Sequence, residues 1–149
     1  IKDWCNDPML HEKHIRVFQS LPNPVNVLTT HSAWLMSSLV MGANGLLSGA
    51  GSVIAPLQVR LFNAVKNNNL EEAKDINDKI FPLVQLFYKP PFLDMHNRMK
   101  ETLVILNAMK KAVVRPPLMK LPFEEIEELK NTVNDINLDN KLNFVKLVV

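Results

Sequence analysis

An α/β fold is predicted for this chain of 149 residues by two features of its hydrophobic pattern. Over about the first third, short runs that predict buried strands alternate with segments of helical periodicity, which is typical of a parallel sheet. From Pro56 onward only helical periodicity remains. A hydrophobic content of 47% is enough for one domain of ordinary size.

The first helix and the first long strand are predicted from residues 11–30. A helix is expected at 11–21, where Ile15 and Phe18 share one apolar face, and Pro22 ends it. A buried strand is expected at 25–30, because that run is short, β-branched and bounded by turn residues.

A second helix and strand repeat this order. Residues 32–41 are apolar on nearly all sides, which predicts a helix buried on most faces. The turn from Gly42 to Gly45 ends it through the usual C-terminal glycine chemistry. Residues 46–49 then form a short buried strand in this interpretation.

Four helical segments account for most of the remaining chain. An Asn-rich turn at 67–69 and two Pro-Pro steps separate them, and Glu124 and Glu125 fall in the first turn of the last one, where the helix dipole favours acids. The apolar positions that define them lie within 57–65, 70–84, 95–106 and 123–136.

Composition and charge exclude several classes of function. The 17 Lys and Arg against 15 Asp and Glu give a net charge of +2, and the basic residues are scattered, which argues against nucleic-acid binding. A single cysteine, Cys5, excludes an internal disulfide framework and indicates a reducing compartment. No apolar run approaches the roughly 18–20 residues of a membrane span. We therefore expect a cytoplasmic protein, with a mitochondrial location as the alternative, and no membrane or nucleic-acid partner.

Several motifs in a fixed order carry a resemblance to one enzyme family. Lys2 stands in the sequence Ile-Lys-Asp with Asp7 following, and residues 42–49 read Gly-Ala-Asn-Gly-Leu-Leu-Ser-Gly. The chain resembles the C-terminal half of the dihydrodipicolinate synthase / N-acetylneuraminate lyase family, the Schiff-base class I aldolases. Further matches are Ala55-Pro56, Leu70–Ala73, Pro82-Leu83, Lys100 and Val114–Leu118.

The resemblance implies a partial (β/α)8 TIM barrel, in which strands 6–8 with their helices precede a C-terminal helical bundle. It divides the chain into the C-terminal part of the barrel at 1–55, barrel-closing and C-terminal helices at 56–138, and a tail at 139–149. Such a barrel takes typically about 250 residues. We therefore expect the remaining strands to lie upstream of Ile1 or on another chain.

The resemblance also implies the site residues. Lys2 is the imine-forming lysine by this correspondence, although an ordinary solvated lysine is the alternative that its position alone favours. Substrate contacts are expected from Gly45, Leu47 and Ser48 at the C-terminal end of the last strand, with plain turn chemistry as the alternative. His31 is expected to be a polar wall of the pocket, replacing an acid of the family, or a helix N-terminal residue without chemistry.

No metal site and no cofactor are implied. His11 and His14 lie one helical turn apart, but they lack the spacing of the zincin motif, so a solvated helix face is the favoured interpretation. Cys5 could be reactive because it is close to Lys2, but a small buried thiol without chemistry is the commoner case and the one expected. Trp4 departs from the small residues of the family beside the lysine and bears on which substrate fits.

The implied function is a lyase that acts on a pyruvate-like 2-oxo acid through a Schiff base on Lys2, by aldol cleavage, condensation or dehydration. The alternative is a truncated, inactive half-barrel that serves as an interaction or assembly subunit. The expected partners are the 2-oxo acid and either further copies, in a homo-oligomeric tetramer or dimer, or the missing N-terminal half.

Overall fold

The structure is a computed structural model that describes residues 1–138, and it confirms a partial α/β fold with a three-stranded sheet and a mostly helical remainder. Two short 3-10 helices lie at Ser32–Trp34 and Phe92–Asp94. The strands are β1 (Lys2–Asp3), β2 (Leu28–Thr29) and β3 (Gly45–Leu46), and the helices are α1 (Pro8–Gln19), α2 (Leu35–Val40), α3 (Gly51–Lys66), α4 (Leu70–Tyr88), α5 (Met95–Ile105) and α6 (Phe123–Asp135).

The chain divides into two compact units, Ile1–Val84 and a second that begins at Gln85. The tail predicted at 139–149 lies outside the described residues. Across residues 1–138 no helix combines the length and the apolar character that a membrane crossing requires.

All three strands are parallel and lie in the order β1, β2, β3. They are shorter than predicted: the strand expected at 25–30 is paired only over Leu28–Thr29, and the one expected at 46–49 only over Gly45–Leu46. After Thr30 the chain turns, because the Ser32 amide donates to the Thr30 carbonyl at 2.9 Å, and this turn ends β2.

Helix α1 begins three residues before the predicted start because Asp7 caps it. The Oδ1 atom of Asp7 accepts hydrogen bonds from the amides of Met9 at 2.9 Å and Leu10 at 3.2 Å. Pro8 occupies the first helical position, where its missing N–H is not needed. The capping fixes the direction in which the chain leaves β1 and brings α1 beside the sheet.

Helix α3 also begins earlier than predicted, at Gly51. Its backbone departs from helical geometry at Ile54, with φ −120° and ψ 28°. Regular helical geometry follows Ile54, close to Pro56, where the helical pattern was predicted to begin. Pro56 thus lies in the first regular turn, which tolerates proline.

A small apolar cluster holds the sheet against α1. Ile15, Val27 and Ala43 are buried, with Phe18 and Met41 packed around them. Ile15 comes from the middle of α1 and Val27 from the residue before β2. This packing positions α1 against the sheet.

In the second unit a buried arginine joins α5 to α6. Arg98 is completely buried, and its Nε donates to the carboxylate of Glu125. Its Nη1 donates to the carbonyls of Phe87 at 3.3 Å and Lys89 at 2.6 Å. The charge is therefore both paired and hydrogen-bonded, the condition under which a guanidinium can be buried.

Candidate functional site

The register of the sheet assigns the two residues of β1 to opposite faces. Lys2, Leu28 and Gly45 are paired across the three strands, and their side chains point to one face because parallel partners share a face. Asp3 and Thr29 point to the other. Lys2 is exposed, whereas Asp3 is 4% and Thr29 0% exposed. The face that carries Lys2 is therefore the open one.

Gly45 keeps this open face free beside Leu28. A Cβ atom added at Gly45 would lie 3.1 Å from Cδ2 of Leu28, closer than ordinary van der Waals contact. Glycine therefore lets the Leu28 side chain lie between β2 and β3 without a clash. Lys2 and Gly45 share the face, as the site prediction requires, but Leu28 stands between them.

Leu47 and Ser48 follow β3 directly. The Leu47 amide donates to the Thr29 carbonyl at 2.8 Å, and the Leu47 side chain is 50% exposed. The Ser48 hydroxyl pairs with the Ser32 hydroxyl at 2.5 Å and accepts from Nε2 of Gln58 at 3.0 Å. Ser48 thus belongs to a polar group at the carboxyl ends of β2 and β3, positioned from the first half of α3.

Behind Lys2, on the buried face, Asp3 accepts several hydrogen bonds. Its Oδ2 accepts from Nδ1 of His11 at 2.7 Å and from Nδ1 of His14 at 2.9 Å. Its Oδ1 accepts from the amide of Cys5 at 3.0 Å. Burial by itself would raise the pKa of Asp3, but these hydrogen bonds outweigh it and hold that pKa well below its usual range. Asp3 is therefore a carboxylate at neutral pH.

His11 extends this contact to α2. Its Nε2 lies 2.6 Å from the Ser38 hydroxyl, so Asp3, His11 and Ser38 are connected in the order of a catalytic triad. Both His11 and Ser38 are 0% exposed, so no substrate reaches the hydroxyl. The chain of hydrogen bonds instead holds α1 and α2 to β1.

His31 lies beside this network, 2% exposed, with its ring stacked on Trp34 at a centroid distance of 4.1 Å and an interplanar angle of 13°. Its Nε2 is 3.9 Å from Sγ of Cys5, and its Nδ1 has no hydrogen-bond partner among the described residues. Burial lowers the pKa of His31, and the neighbouring His11 lowers it further, against an opposite effect of Asp3. The ring is therefore neutral at physiological pH.

Cys5 completes the group. Its Sγ donates to the Asp7 carbonyl at 3.3 Å. Burial raises the pKa of the Cys5 thiol despite that hydrogen bond, and the Asp3 carboxylate raises it further. The thiol is consequently protonated at neutral pH, which agrees with the expectation of an unreactive cysteine. We call Asp3, Cys5, His11 and His31 the Asp3 cluster.

The sequence did not predict the Asp3 cluster. The solvated helix face expected for His11 and His14 is wrong for His11, which is 0% exposed because its ring packs against Asp3; His14 contacts the same carboxylate and is 30% exposed. Cys5 and His31 are 26 residues apart, so no local pattern joins them. The assignment of Lys2, Gly45, Leu47, Ser48 and His31 to substrate stays a prediction; of these, His31 is turned into the buried group rather than toward the open face.

A separate cavity of about 540 Å³ lies at the opposite, amino end of β3. Its walls include Asn44, Phe62 and Lys66. None of the predicted site residues lines it. In parallel α/β proteins ligands bind at the carboxyl ends of strands, so this cavity at the amino end of β3 is not the favoured candidate.

The fold and this face together define an α/β protein with an exposed lysine on the open face of a parallel sheet. Residues 1–136 match the sequence profile of the Dihydrodipicolinate synthetase family, and the chain belongs to that family. The membership expected from the motifs is therefore confirmed.

Individual relatives are distant. The chain is 21% identical over 125 residues to the 4-hydroxy-tetrahydrodipicolinate synthase of Oceanobacillus iheyensis, which covers 83% of this chain and 41% of that protein. The enzyme of the same name from Chlorobium limicola is 25% identical over 122 residues, an alignment that covers 82% of this chain and 40% of that protein. The chain thus spans less than half the length of these relatives.

Solved structures show the same fold. A dihydrodipicolinate synthase from Thermotoga maritima superposes with a TM-score of 0.82 at 19% identity, over 93% of this chain and 46% of that one. A prophage protein of the dihydrodipicolinic acid synthase family from E. coli K12, in complex with pyruvate, superposes with a TM-score of 0.81 at 20% identity. The superposition covers 93% of this chain and 46% of that one. The coverage agrees with the C-terminal half that the motifs indicated.

Proposed function

We propose that the complete protein is a lyase of the dihydrodipicolinate synthase / N-acetylneuraminate lyase type that acts on a pyruvate-like 2-oxo acid through an imine on Lys2. Membership of the family supports the reaction type. The pyruvate complex of the prophage relative supports the substrate class. The single observation that carries the proposal is the position of Lys2 in β1, exposed on the open face of the parallel sheet.

The chemistry follows from this position. The unprotonated amine of Lys2 adds to the keto carbon of the acid, and loss of water leaves an imine. The protonated imine withdraws electrons from the neighbouring carbon, so a carbon–carbon bond there breaks or forms, or a β-hydroxyl leaves as water. Hydrolysis then returns the amine.

Asp3 acts as a positioning residue in this proposal. It follows Lys2 directly in β1 and is held by hydrogen bonds from His11, His14 and the Cys5 amide. Because alternate residues of a strand face opposite sides, fixing the Asp3 carboxylate behind the sheet directs Lys2 to the open side. The cost of misplacing a reacting group by about 1 Å reaches 100-fold in rate, so this anchoring matters.

We further propose that β1, β2 and β3 are strands 6–8 of a (β/α)8 barrel. Within residues 1–138, β1 and β3 each have a neighbour on one side only, so both outer edges of the sheet lack a partner strand. The missing strands would come from sequence beyond this chain, and further copies would complete a tetramer or dimer. A cytoplasmic location remains part of this proposal.

Borohydride trapping tests the imine. The protein is incubated with pyruvate and borohydride, digested, and searched by mass spectrometry for the reduced pyruvate adduct. The expected adduct is on Lys2, and it disappears in Lys2→Arg, which keeps the charge but forms no imine. The matched control is Lys13→Arg, an exposed lysine of α1 that should leave the yield unchanged.

An adduct absent from Lys2 at saturating pyruvate, in a protein that contains the complete barrel, overturns the proposal. That outcome favours the alternative function, a non-catalytic half-barrel that serves in assembly.

A further inference from the structure

The Asp3 cluster brings four side chains that can ligate metals into one buried place. One donor atom from each of Asp3, Cys5, His11 and His31 lies within 4.8 Å of the donor atoms of the other three. Asp3, His11 and His31 are at most 4% exposed, and Cys5 is partly buried. The four residues come from β1, its following loop, α1 and the segment before the first 3-10 helix, so only the tertiary fold assembles them.

The donor set matches one class of ion. A thiol, two imidazoles and one carboxylate are the ligands of tetrahedral zinc sites, whereas calcium and magnesium take oxygen ligands. In a tetrahedral zinc site neighbouring donors lie about 3.3–3.8 Å apart, given metal–ligand distances of about 2.0–2.3 Å. The 3.9 Å between Sγ of Cys5 and Nε2 of His31 is already close to this value, so side-chain adjustments of about 1 Å close the site around an ion.

The His31 ring is held with one nitrogen directed toward Cys5. Its Nε2 lies 3.9 Å from the Cys5 sulfur, a weak hydrogen-bond partner. An ion bound between these two atoms would replace that weak contact by two metal–ligand bonds. Stacking on Trp34 fixes the ring, so His31 is held in place while its hydrogen-bonding capacity is largely unused.

We propose that the Asp3 cluster is a binding site for one divalent transition-metal ion, zinc by its donor chemistry, with Asp3, Cys5, His11 and His31 as the four ligands. The site lies behind the sheet from Lys2. It therefore ties β1 to α1 and to the chain after β2, and it is a structural site.

Binding of one zinc ion releases one proton from the protein. His11 binds through Nδ1, the nitrogen next to Asp3, and the ring proton moves to Nε2, where the Ser38 hydroxyl changes from donor to acceptor. The Cys5 thiol loses its proton to solvent as the sulfur coordinates. His14 keeps its hydrogen bond to Asp3 and orients the carboxylate from outside the ligand set.

Cobalt(II) titration of the full chain, stripped of metal by a chelator, tests the proposal. The expected result is one cobalt per chain, a sulfur-to-cobalt charge-transfer band in the near ultraviolet, visible bands of tetrahedral intensity, and displacement of all of them by zinc. A pH-stat titration with zinc should record one proton released per ion. None of these readouts depends on enzymatic activity.

Variants assign the ligands. Cys5→Ser should abolish the charge-transfer band, and His31→Asn should raise the Kd by at least about 10-fold. His96→Asn removes an exposed histidine of the second unit and should change neither. Absence of the charge-transfer band in the wild-type chain, or its persistence in Cys5→Ser, overturns the proposal, as does weak binding that His96→Asn diminishes.

A measurement on the wild-type chain removes any dependence on how the variants fold. Stoichiometric zinc should slow alkylation of Cys5 by iodoacetamide at least about 10-fold, because a coordinated thiolate is not free to react. An unchanged alkylation rate at one zinc per chain contradicts the site.

Discussion

The Oδ2 atom of Asp3 accepts a hydrogen bond from Nδ1 of His11 at 2.7 Å, between side chains that are 4% and 0% exposed. Replacing Asp3 by Asn removes the charge that His11 and His14 face and leaves two donors competing for one amide oxygen. We expect Asp3→Asn to lower the free energy of unfolding by about 2–4 kcal/mol. Urea denaturation of the metal-free chain at pH 7 measures it.

His14→Asn is the matched control for this change. His14 donates to the same Oδ2 atom but is 30% exposed, so its loss should cost about 1 kcal/mol. Equal losses in the free energy of unfolding for Asp3→Asn and His14→Asn would show that the buried Asp3–His11 contact is not the main source of the stability that Asp3 contributes.

Stability should also fall in acid because of Asp3. The pKa of Asp3 is depressed in the folded state, where hydrogen bonds from His11, His14 and Cys5 outweigh the opposing effect of burial. Its contribution is therefore complete above the unfolded pKa of about 3.9 and is lost as the pH falls below it toward the folded pKa. Unfolding free energies measured from pH 6 to pH 2 should decline more steeply for the wild type than for Asp3→Asn; parallel curves would contradict this.

The His31 ring should titrate below the ordinary histidine pKa of about 6.5. Burial is the main cause of its lowered pKa, with His11 adding to it. Because folding favours the neutral ring, the protein is not destabilised by His31 above the pKa of the ring in the unfolded chain. Stability is lost as the pH falls from that value toward the lower pKa of the folded state. NMR titration of the imidazole signals in chelator-treated protein measures the pKa, with the signal assigned by its loss in His31→Asn. A midpoint above 6.5 would contradict the buried placement.

Arg98 should be critical to the second unit. Arg98→Met leaves the Glu125 carboxylate and the carbonyls of Phe87 and Lys89 without their donor, at a cost of about 3–5 kcal/mol. Lys130→Met, which removes an exposed ion pair with Glu127, should change stability by at most about 0.5 kcal/mol. Denaturant melts of both variants provide the comparison, and similar small effects would show that the buried pair contributes little.

The isolated chain should associate, because both outer edges of its sheet lack a partner strand within residues 1–138. Sedimentation velocity should show species larger than the 17.0 kDa monomer. Leu47→Asp, next to the edge of β3, should reduce association, whereas Val59→Asp on α3 should not; the two side chains are 50% and 42% exposed. A single monomer with a sharp thermal transition would contradict this prediction.

Local chemistry made several elements predictable. Pro22 and Pro56 mark chain breaks that the structure places near the end of α1 and at the start of the regular part of α3. Glu124 and Glu125 lie in the first turn of α6 as expected. The predicted strands were too long because pairing, not β propensity, sets where a strand ends, and β1 pairs over only two residues.

The sequence by itself determined the order of helices and strands and the family, because periodicity, proline and short motifs are local signals. Only the tertiary structure decided that Lys2 and Gly45 share the open face, since that depends on the register across β2. It also decided that Cys5 and His31 meet behind Lys2, at 3.9 Å and 26 residues apart. Contacts between residues so far apart in sequence depend on how α1 and the strands pack together, so no local sequence pattern predicts them.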